Sequence, residues 1–335
     1  MPAIDEQTTH GRARLSFARV ADIDEFVATL EKYERGEITP DQWRAFRLVR
    51  GTYGQRQAED AQMLRIKIPQ GVITADQLDV LAEIGQRYSR GFGHITTRQN
   101  IQFHFVKLHD VEPAMRMLED VGVTTREACG NSVRNITACP IAGVCTTETF
   151  DVTPYAEALT RFLLGHTDCQ DFGRKFKPAF SGCAGEACGL VRMHDFGGIA
   201  RTRVVDGVEQ RGFEAYVGGG LGTSPYQAKL LSEFLPVEEL LPTVQAIARV
   251  FARLGEKQNR NRARIKFLIA KLGIEEFIRL VEEERAILPH DDRWTSYLPE
   301  VGRFDETPLK PAVALDGGPV TEEFTRWAST NAYRQ

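Results

Sequence analysis

The chain has 335 residues, 42% hydrophobic and 26% charged, which is long enough for two or three domains with sizeable cores and ordinary for a globular protein. A formal net charge of -4 excludes a general nucleic-acid surface but permits a local basic pocket. No apolar run approaches the roughly 18 residues of a membrane span, and the N-terminal MPAIDEQTTHGRARLSF has acidic residues and no apolar core, so it does not read as a secretory signal.

Residues 1–57 read as a helical arm, with Thr39-Pro40-Asp41-Gln42 forming a capping box that has proline at the first helical position. Met63 to Ile68 alternates, placing Leu64, Ile66 and Ile68 on one face of a strand and Arg65 and Lys67 on the other. A second capping box, Thr74 to Gln77, starts a helix that runs to about Ser89. Ile95 to Val106 is the next expected strand, with Arg98, Asn100, Gln102 and His104 facing one way and Ile101, Phe103 and Phe105 the other. Asp110 caps a further helix, and this strand–helix–strand–helix order predicts a small ferredoxin-like α+β layer. Either polar face alone reads as solvated. Two such faces, together with the lysine strand described next, suit a ligand rich in carboxylates or a small oxyanion.

From Cys129 the texture turns to glycine, asparagine and cysteine, in a loop-like CGNSVRNITACPIAGVC with Arg134 near its centre, and a helix begins at Thr153. Gly173 to Gly189, GRKFKPAFSGCAGEACG, opens as a short strand with Lys175, Lys177, Ala179 and Ser181 on one face and Phe176 and Phe180 on the other. Arg174 adds a third cation, and the stretch ends in a glycine-punctuated turn holding Cys183 and Cys188. A lysine-guarded edge strand looks similar, but the small residues mark a place where backbone approaches something closely. A hairpin with Asp206-Gly207 as its turn follows. Gly218 to Gly222 marks another close approach; it lacks the GxGxxG spacing and the strand–turn–helix setting of a dinucleotide site, which a flavin or nicotinamide enzyme would need. Helices are expected over about 236–254, 259–272 and 273–286, with Arg260, Arg264 and Lys271 on the wet face of the second. Residues 287–320 read as a linker. Residues 324–335 echo 46–57, with Phe, Thr, Arg and Gln in register, as though a repeat began again in a truncated protein.

MLRIKIPQGVIT, ITTRQNIQFHF, NSVRNITACP, GRKFKPAFSGC and YVGGGLG, in that order across about residues 45–285, together resemble the sirohaem-dependent nitrite and sulfite reductases. The resemblance implies an α+β fold: a helical arm (1–57), a ferredoxin-like half domain (58–125), an α/β sirohaem and 4Fe-4S-type domain (126–286), and a linker with the start of a second ferredoxin-like repeat (287–335). This would be the first copy of a duplicated architecture whose C-terminal half is missing. Arg65 and Arg134 match arginines that reach the bound anion, and Lys175 and Lys177 match paired lysines that hold substrate and supply protons. Arg98 and Gln102 match residues that hold the sirohaem carboxylates, with Arg174 beside them. The implied activity is the assimilatory, six-electron reduction of sulfite to sulfide at sirohaem coupled to a 4Fe-4S cluster. The implied electron donor is ferredoxin or a flavoprotein reductase. Reduction of nitrite to ammonia, or tetrapyrrole binding without turnover, are the alternatives.

All six cysteines lie between positions 129 and 188. In a chain of this size such clustering favours metal, redox or catalytic use in the cytoplasm over a disulfide framework. The family's cluster ligands form a CxxxxxC and then a CxxxC pair in the second half. Here Cys139-x5-Cys145 and Cys183-x4-Cys188 stand at the equivalent places of the first half, the second spacing one residue longer. The expectation is that they are remnants of duplication, with the family ligands beyond residue 335. The rival is that Cys139, Cys145, Cys183 and Cys188 themselves bind a cluster. Cys129 and Cys169 carry no assigned role.

Overall fold

A computed structural model describes residues 4–9, 12–57, 60–183, 185, 188–296 and 321–331. The N-terminal arm is not wholly helical: an antiparallel hairpin of β1 (Ile4–Thr9) and β2 (Arg12–Leu15) precedes α1 (Val20–Glu34) and α2 (Pro40–Val49). Thr39 caps α2 as its sequence predicts, its side chain accepting from the Gln42 N–H while the Gln42 side chain accepts from the Thr39 N–H. Ile23, Phe26 and Leu30 of α1 and Trp43 of α2 are buried in the same core as the strands that follow, so apolar burial fastens the arm to the first sheet.

That sheet has the order β3 (Thr52–Gly54), β4 (Ala61–Ile66), β6 (Ile101–Lys107) and β5 (His94–Ile95), every pair antiparallel. The sheet therefore begins before residue 58. α3 (Ala75–Tyr88) and α4 (Val111–Asp120) supply Leu81, Ile84, Ala114, Met115 and Leu118 to a core shared with Leu64, Ile66, Phe103 and Val106. The single strand expected over 95–106 is a hairpin. The Thr96 hydroxyl accepts the N–H groups of Arg98 and Asn100, and Gln99 takes a φ of 56°, a local side-chain turn that outcompetes the extended ladder. Phe105 also has a positive φ, 62°, beside a register shift opposite Gln62 and Leu64. This bulge hands the buried position expected for Phe105 to Val106.

The second sheet runs β10 (Lys229–Pro236), β9 (Val208–Val217), β8 (Phe196–Val205), β7 (Pro178–Ser181), with only the β7–β8 pair parallel. Asp206 and Gly207 turn β8 into β9 with φ of 52° and 79°, the two positive values a two-residue hairpin of this hand requires. α5 (Thr153–Leu163) and α6 (Leu240–Leu254) pack on this sheet around Phe176, Phe180, Phe196 and Phe213, with Tyr155 and Phe180 edge-on to Phe213 at 5.4 and 5.2 Å. Then come α7 (Ile265–Leu272), α8 (Ile274–Ile287), α9 (Arg293–Ser296) and α10 (Glu322–Asn331).

Three readings of the C-terminal part change. Residues 229–236 form a strand that the sequence reading missed, and α7 starts six residues later than expected because Arg264 is extended at its N-cap. Residues 288–296 are not linker: Leu288 and Trp294 are buried, and the Trp294 indole donates to Gln245 Oε1 at 2.9 Å. Residues 297–320 and 332–335 of the expected linker and repeat lie outside the described residues. Within the repeat, Phe46 and Phe324 are both helical, but Thr52 begins β3 where its counterpart Thr330 stays in α10. Among the described residues no helix is long and apolar enough to cross a membrane.

Candidate functional site

The site is built on two segments that run side by side. Val133 bridges Phe176 and Thr137 bridges Ala179, both in parallel, with Arg134 N donating to Phe176 O at 2.8 Å and Phe180 N to Thr137 O at 2.9 Å. The Phe176 ring is fully buried in the core. Extended backbone therefore sends its neighbours Lys175 and Lys177 to the opposite side, where both are half-buried. The two lysines lie in the lead-in to β7 rather than on the strand itself. The Lys177 N–H donates at 2.9 Å to Asp195 Oδ2.

The polar face of the first sheet is covered at its Lys67 end, while His94 at its far edge stays exposed. Residues 124–138 cover the Lys67 end: Lys67 N donates to Thr124 O at 2.9 Å, Lys67 is 2% exposed, and its Nζ reaches Val133 O at 3.4 Å. Arg65 and Arg134 converge on one carbonyl, Ala128 O, at 3.3 and 3.1 Å, and Arg134 is further held by Gly130 O at 2.8 and 3.0 Å. Gln102, buried, sits across the ladder from Arg65. Arg98, carried at the tip of the β5–β6 hairpin, donates through Nη2 to Asn135 O and, at 2.9 Å, to Pro178 O. Asn100 is not a ligand-facing group, since its Oδ1 accepts the Ile68 N–H.

Three residues to which pattern-reading gave no site role complete the site. Asp195 is fully buried, and Arg264, expected on a wet helix face, pairs with it at 2.8 Å. Lys266 is likewise buried, donating to the carbonyls of Leu221 and Ser224 at 3.1 and 2.5 Å and so fixing the glycine loop. In that loop a Cβ on Gly219 would stand 2.6 Å from the carbonyl oxygens of Arg192 and His194, the close approach its glycines signal. The one sequence signal for Asp195 is a carboxylate standing in the apolar, glycine-rich run LVRMHDFGG.

Charge is poorly balanced here. Burial first, then Arg134, Arg264 and Arg174, lower Lys175 to about 8. Burial first, then Lys175 and Arg98, lower Lys177 to about 7. Burial also brings Lys67 down to about 8 and Arg98 to about 9. Burial pushes the Asp195 carboxyl upward against the opposing pull of Arg264 and Lys177. Among the described residues, buried guanidinium donors with no hydrogen-bond acceptor include Arg65 Nε, Arg98 Nε and Nη1 and Arg174 Nη1 at this place, and Nε of Arg47, Arg50 and Arg126 outside it. An unmet buried donor is costly, and several on cations around one place fit the carboxylates and oxyanion that such a site would bind.

At the far end of the same two segments the cysteines meet. Sγ–Sγ separations are 2.9 Å for Cys139–Cys188, 3.6 Å for Cys145–Cys183 and 3.9 Å for Cys183–Cys188. Cys139, Cys183 and Cys188 lie within 4.8 Å of one another. All are free thiols, with Cys139 and Cys183 buried and Cys188 exposed. Burial raises Cys139 to about 12 and Cys183 to about 11, while the Thr147 hydroxyl lowers Cys145. Cys129 and Cys169 are buried elsewhere, with Cys129 Sγ 3.9 Å from Gly51 O.

Residues 129–287 match the family described as nitrite and sulphite reductase 4Fe-4S domain, and residues 53–121 match the nitrite/sulfite reductase ferredoxin-like half domain. The chain is 33% identical over 222 residues to a protein of Mycobacterium tuberculosis (strain ATCC 25618 / H37Rv) named sulfite reductase (ferredoxin), an alignment covering 66% of this chain and 39% of that one. It is also 33% identical over 247 residues to the assimilatory ferredoxin-dependent nitrite reductase of Haloferax mediterranei, covering 70% and 42%. Among solved structures, the Mycobacterium tuberculosis NirA protein superposes with a TM-score of 0.68 at 29% identity over 80% of this chain and 53% of that one. Dissimilatory sulfite reductase I shares the fold, with a TM-score of 0.54 at 12% identity over 82% of this chain and 78% of that one. The chain spans roughly two-fifths of the length of these curated relatives, 39% and 42%.

Proposed function

Because the chain belongs to the sirohaem-dependent nitrite and sulfite reductase family, we propose that it grips sulfite beside sirohaem in an assimilatory sulfite reductase, an oxidoreductase that carries out the six-electron reduction of sulfite to sulfide. The observation that carries this reading is the set of unmet guanidinium donors on Arg65, Arg98 and Arg174 around two lysines of lowered pKa. We take residues 58–125, joined by the β3 strand that pairs into their sheet, as the half domain and 126–286 as the sirohaem domain. Ferredoxin or a flavoprotein reductase is the proposed donor, consistent with the names of the ferredoxin-dependent relatives.

The family's cofactors are sirohaem and a 4Fe-4S cluster; when bound, they supply an iron on which an oxyanion is reduced and a one-electron relay to it. Arg98, Gln102 and Arg174 are the residues that would hold the sirohaem carboxylates. Arg65 and Arg134 are anchored on Ala128 O, which presets their forks as fixed electrostatic clamps on the substrate oxygens. Each oxygen lost from the anion leaves as water, so protons must be delivered at the same place. Lys175 and Lys177 are suited to this because a donor works best with a pKa near the operating pH, and theirs lie at about 8 and about 7. Asp195 holds the Lys177 backbone N–H and Arg264 together, so it positions the donor without touching substrate.

Nitrite is the second reading, since the same cations suit it and a nitrite reductase is equally similar in sequence. The test is turnover of the sirohaem-loaded protein with reduced methyl viologen, comparing kcat/KM for sulfite and nitrite. A higher value for sulfite is expected. A higher value for nitrite reverses the substrate, and bound sirohaem with turnover of neither leaves a tetrapyrrole-binding protein.

A further inference from the structure

We propose that Lys67 and Glu127, two buried charges behind the anion site, act as one positioning pair: together they set the carbonyl of Ala128, on which both clamping arginines rest. The inference rests on the sulfite reading above, since it concerns how that anion is gripped. Ala128 O accepts from Arg65 Nη1 at 3.3 Å and from Arg134 Nη1 at 3.1 Å, so a shift of this one atom moves both forks together. The residue before it, Glu127, has a φ of 56°, a left-handed conformation that a residue with a side chain keeps only where its surroundings impose it. Its own bonds do so here. The Glu127 N–H donates to Val49 O at 2.6 Å, and its Oε1 accepts the Gly165 N–H at 3.2 Å and Gln170 Nε2 at 2.8 Å. The Ala128 N–H closes the turn on Thr125 O at 3.2 Å.

Lys67 straps the same segment from the sheet side. Its N–H donates to Thr124 O at 2.9 Å and its Nζ to Val133 O at 3.4 Å. These partners lie on either side of Ala128 in the chain, and Val133 adjoins Arg134. Lys67 is 2% exposed and Glu127 wholly buried. One long bond leaves the ammonium with donors to spare, and Glu127 Oε2 is buried with no hydrogen-bond partner. Burial opposes the Lys67 ammonium most; Glu127 supports it, against Arg134, Arg126 and Arg98. Arg126, beside Glu127 in the chain, is committed to Asp22 at 2.8 Å. The two opposite charges therefore hold residues 124–134 against the sheet, and each is costly to bury without the other.

The test is sulfite affinity, by calorimetry on anaerobic sirohaem-loaded protein, for the wild type, Glu127→Gln, Lys67→Met and the double variant. Steady-state turnover and urea unfolding are measured on each. Glu127→Gln keeps an oxygen for Gly165 and Gln170 but removes the charge. Each single variant should bind sulfite about tenfold more weakly, with KM raised and kcat changed by less than about threefold, because the forks shift while the lysine proton donors stay in place. The double variant leaves no unpaired buried charge, so it should return to within about threefold of wild-type affinity even where a single variant fails to fold. Lowered urea midpoints with unchanged affinity and KM in the single variants would make the role purely structural and overturn the inference. A double variant that loses about tenfold or more would overturn it too, since the charges would then not act as a pair. Wild-type protein that binds sulfite without reducing it defeats the reductase reading and leaves this comparison standing. Wild-type protein that binds no sulfite defeats both.

Discussion

Arg264 closes on Asp195 as a fork beneath the two lysines: Nε donates to Oδ1 at 2.9 Å, and Nη2 donates to Oδ1 at 2.8 Å and Oδ2 at 2.9 Å. Oδ2 also accepts the Lys177 N–H at 2.9 Å. A single carboxylate thus anchors the N-cap of α7 and the lead-in to β7.

Removing that carboxylate leaves a buried guanidinium unpaired. Asp195→Asn should cost about 3–5 kcal/mol of stability in urea unfolding, the range for breaking one side of a buried pair. The double variant Asp195→Asn/Arg264→Met should recover part of the loss. A cost below about 1 kcal/mol would mean the pair is not the anchor described.

The lysines set a pH dependence whose sign is determined. Lys177 and Lys175 are held at about 7 and about 8 when folded, against about 10.4 when unfolded. Below about pH 7 both states hold the proton and the penalty of a buried charge is fully present; above it the unfolded chain binds more protons, so stability rises with pH. The urea midpoint should climb between about pH 7 and pH 9 and climb less steeply in Lys177→Met. Added sulfite should flatten the wild-type rise, because an anion restores the lysine charge. Equal slopes in wild type and variant would remove Lys177 from this account.

Arg134 is held by Ala128 O and Gly130 O through three nitrogens, a geometry an ammonium cannot copy. Arg134→Lys should keep the positive charge yet lose about 100-fold in kcat/KM for sulfite, about 2.7 kcal/mol of transition-state stabilisation. The comparison is steady-state turnover with reduced methyl viologen. Retention within about twofold would show that charge alone suffices at this position.

Trp294 tests whether residues 288–296 belong to the fold. It is 5% exposed and bonded to Gln245, so Trp294→Ala should cost about 3–5 kcal/mol in urea unfolding. A linker residue would cost less than about 0.5 kcal/mol.

What could be read along the chain was what neighbouring residues enforce. Both capping boxes form with both of their hydrogen bonds, at Thr39 and at Thr74. The Asp206-Gly207 turn takes its two positive φ values, and the 61–66 alternation becomes a strand. The cation set was legible as a group because the ordered motifs carried it. The 96–100 turn was missed because a threonine side-chain turn leaves no mark on an alternation of polar and apolar residues. β10 was missed because its KLLSEFLP alternates poorly, and cross-strand pairing with β9 decides it.

Residue types and their local spacing settle the element types, the family resemblance and which side chains carry charge or thiol. The three-dimensional packing settles which of them meet. Arg264 and Asp195 are 69 residues apart, Arg65 and Ala128 63, and Arg98 and Pro178 80. Closing such loops is favoured only by the shared cores beneath them. The same packing converts a polar strand face that would be wet on an isolated sheet into a buried one beneath residues 124–138. That burial, more than the number of cations, brings Lys67 toward neutrality, and burial in the lead-in to β7 does the same for Lys175 and Lys177, because desolvation depends on what covers a charge rather than on which residues adjoin it in the chain.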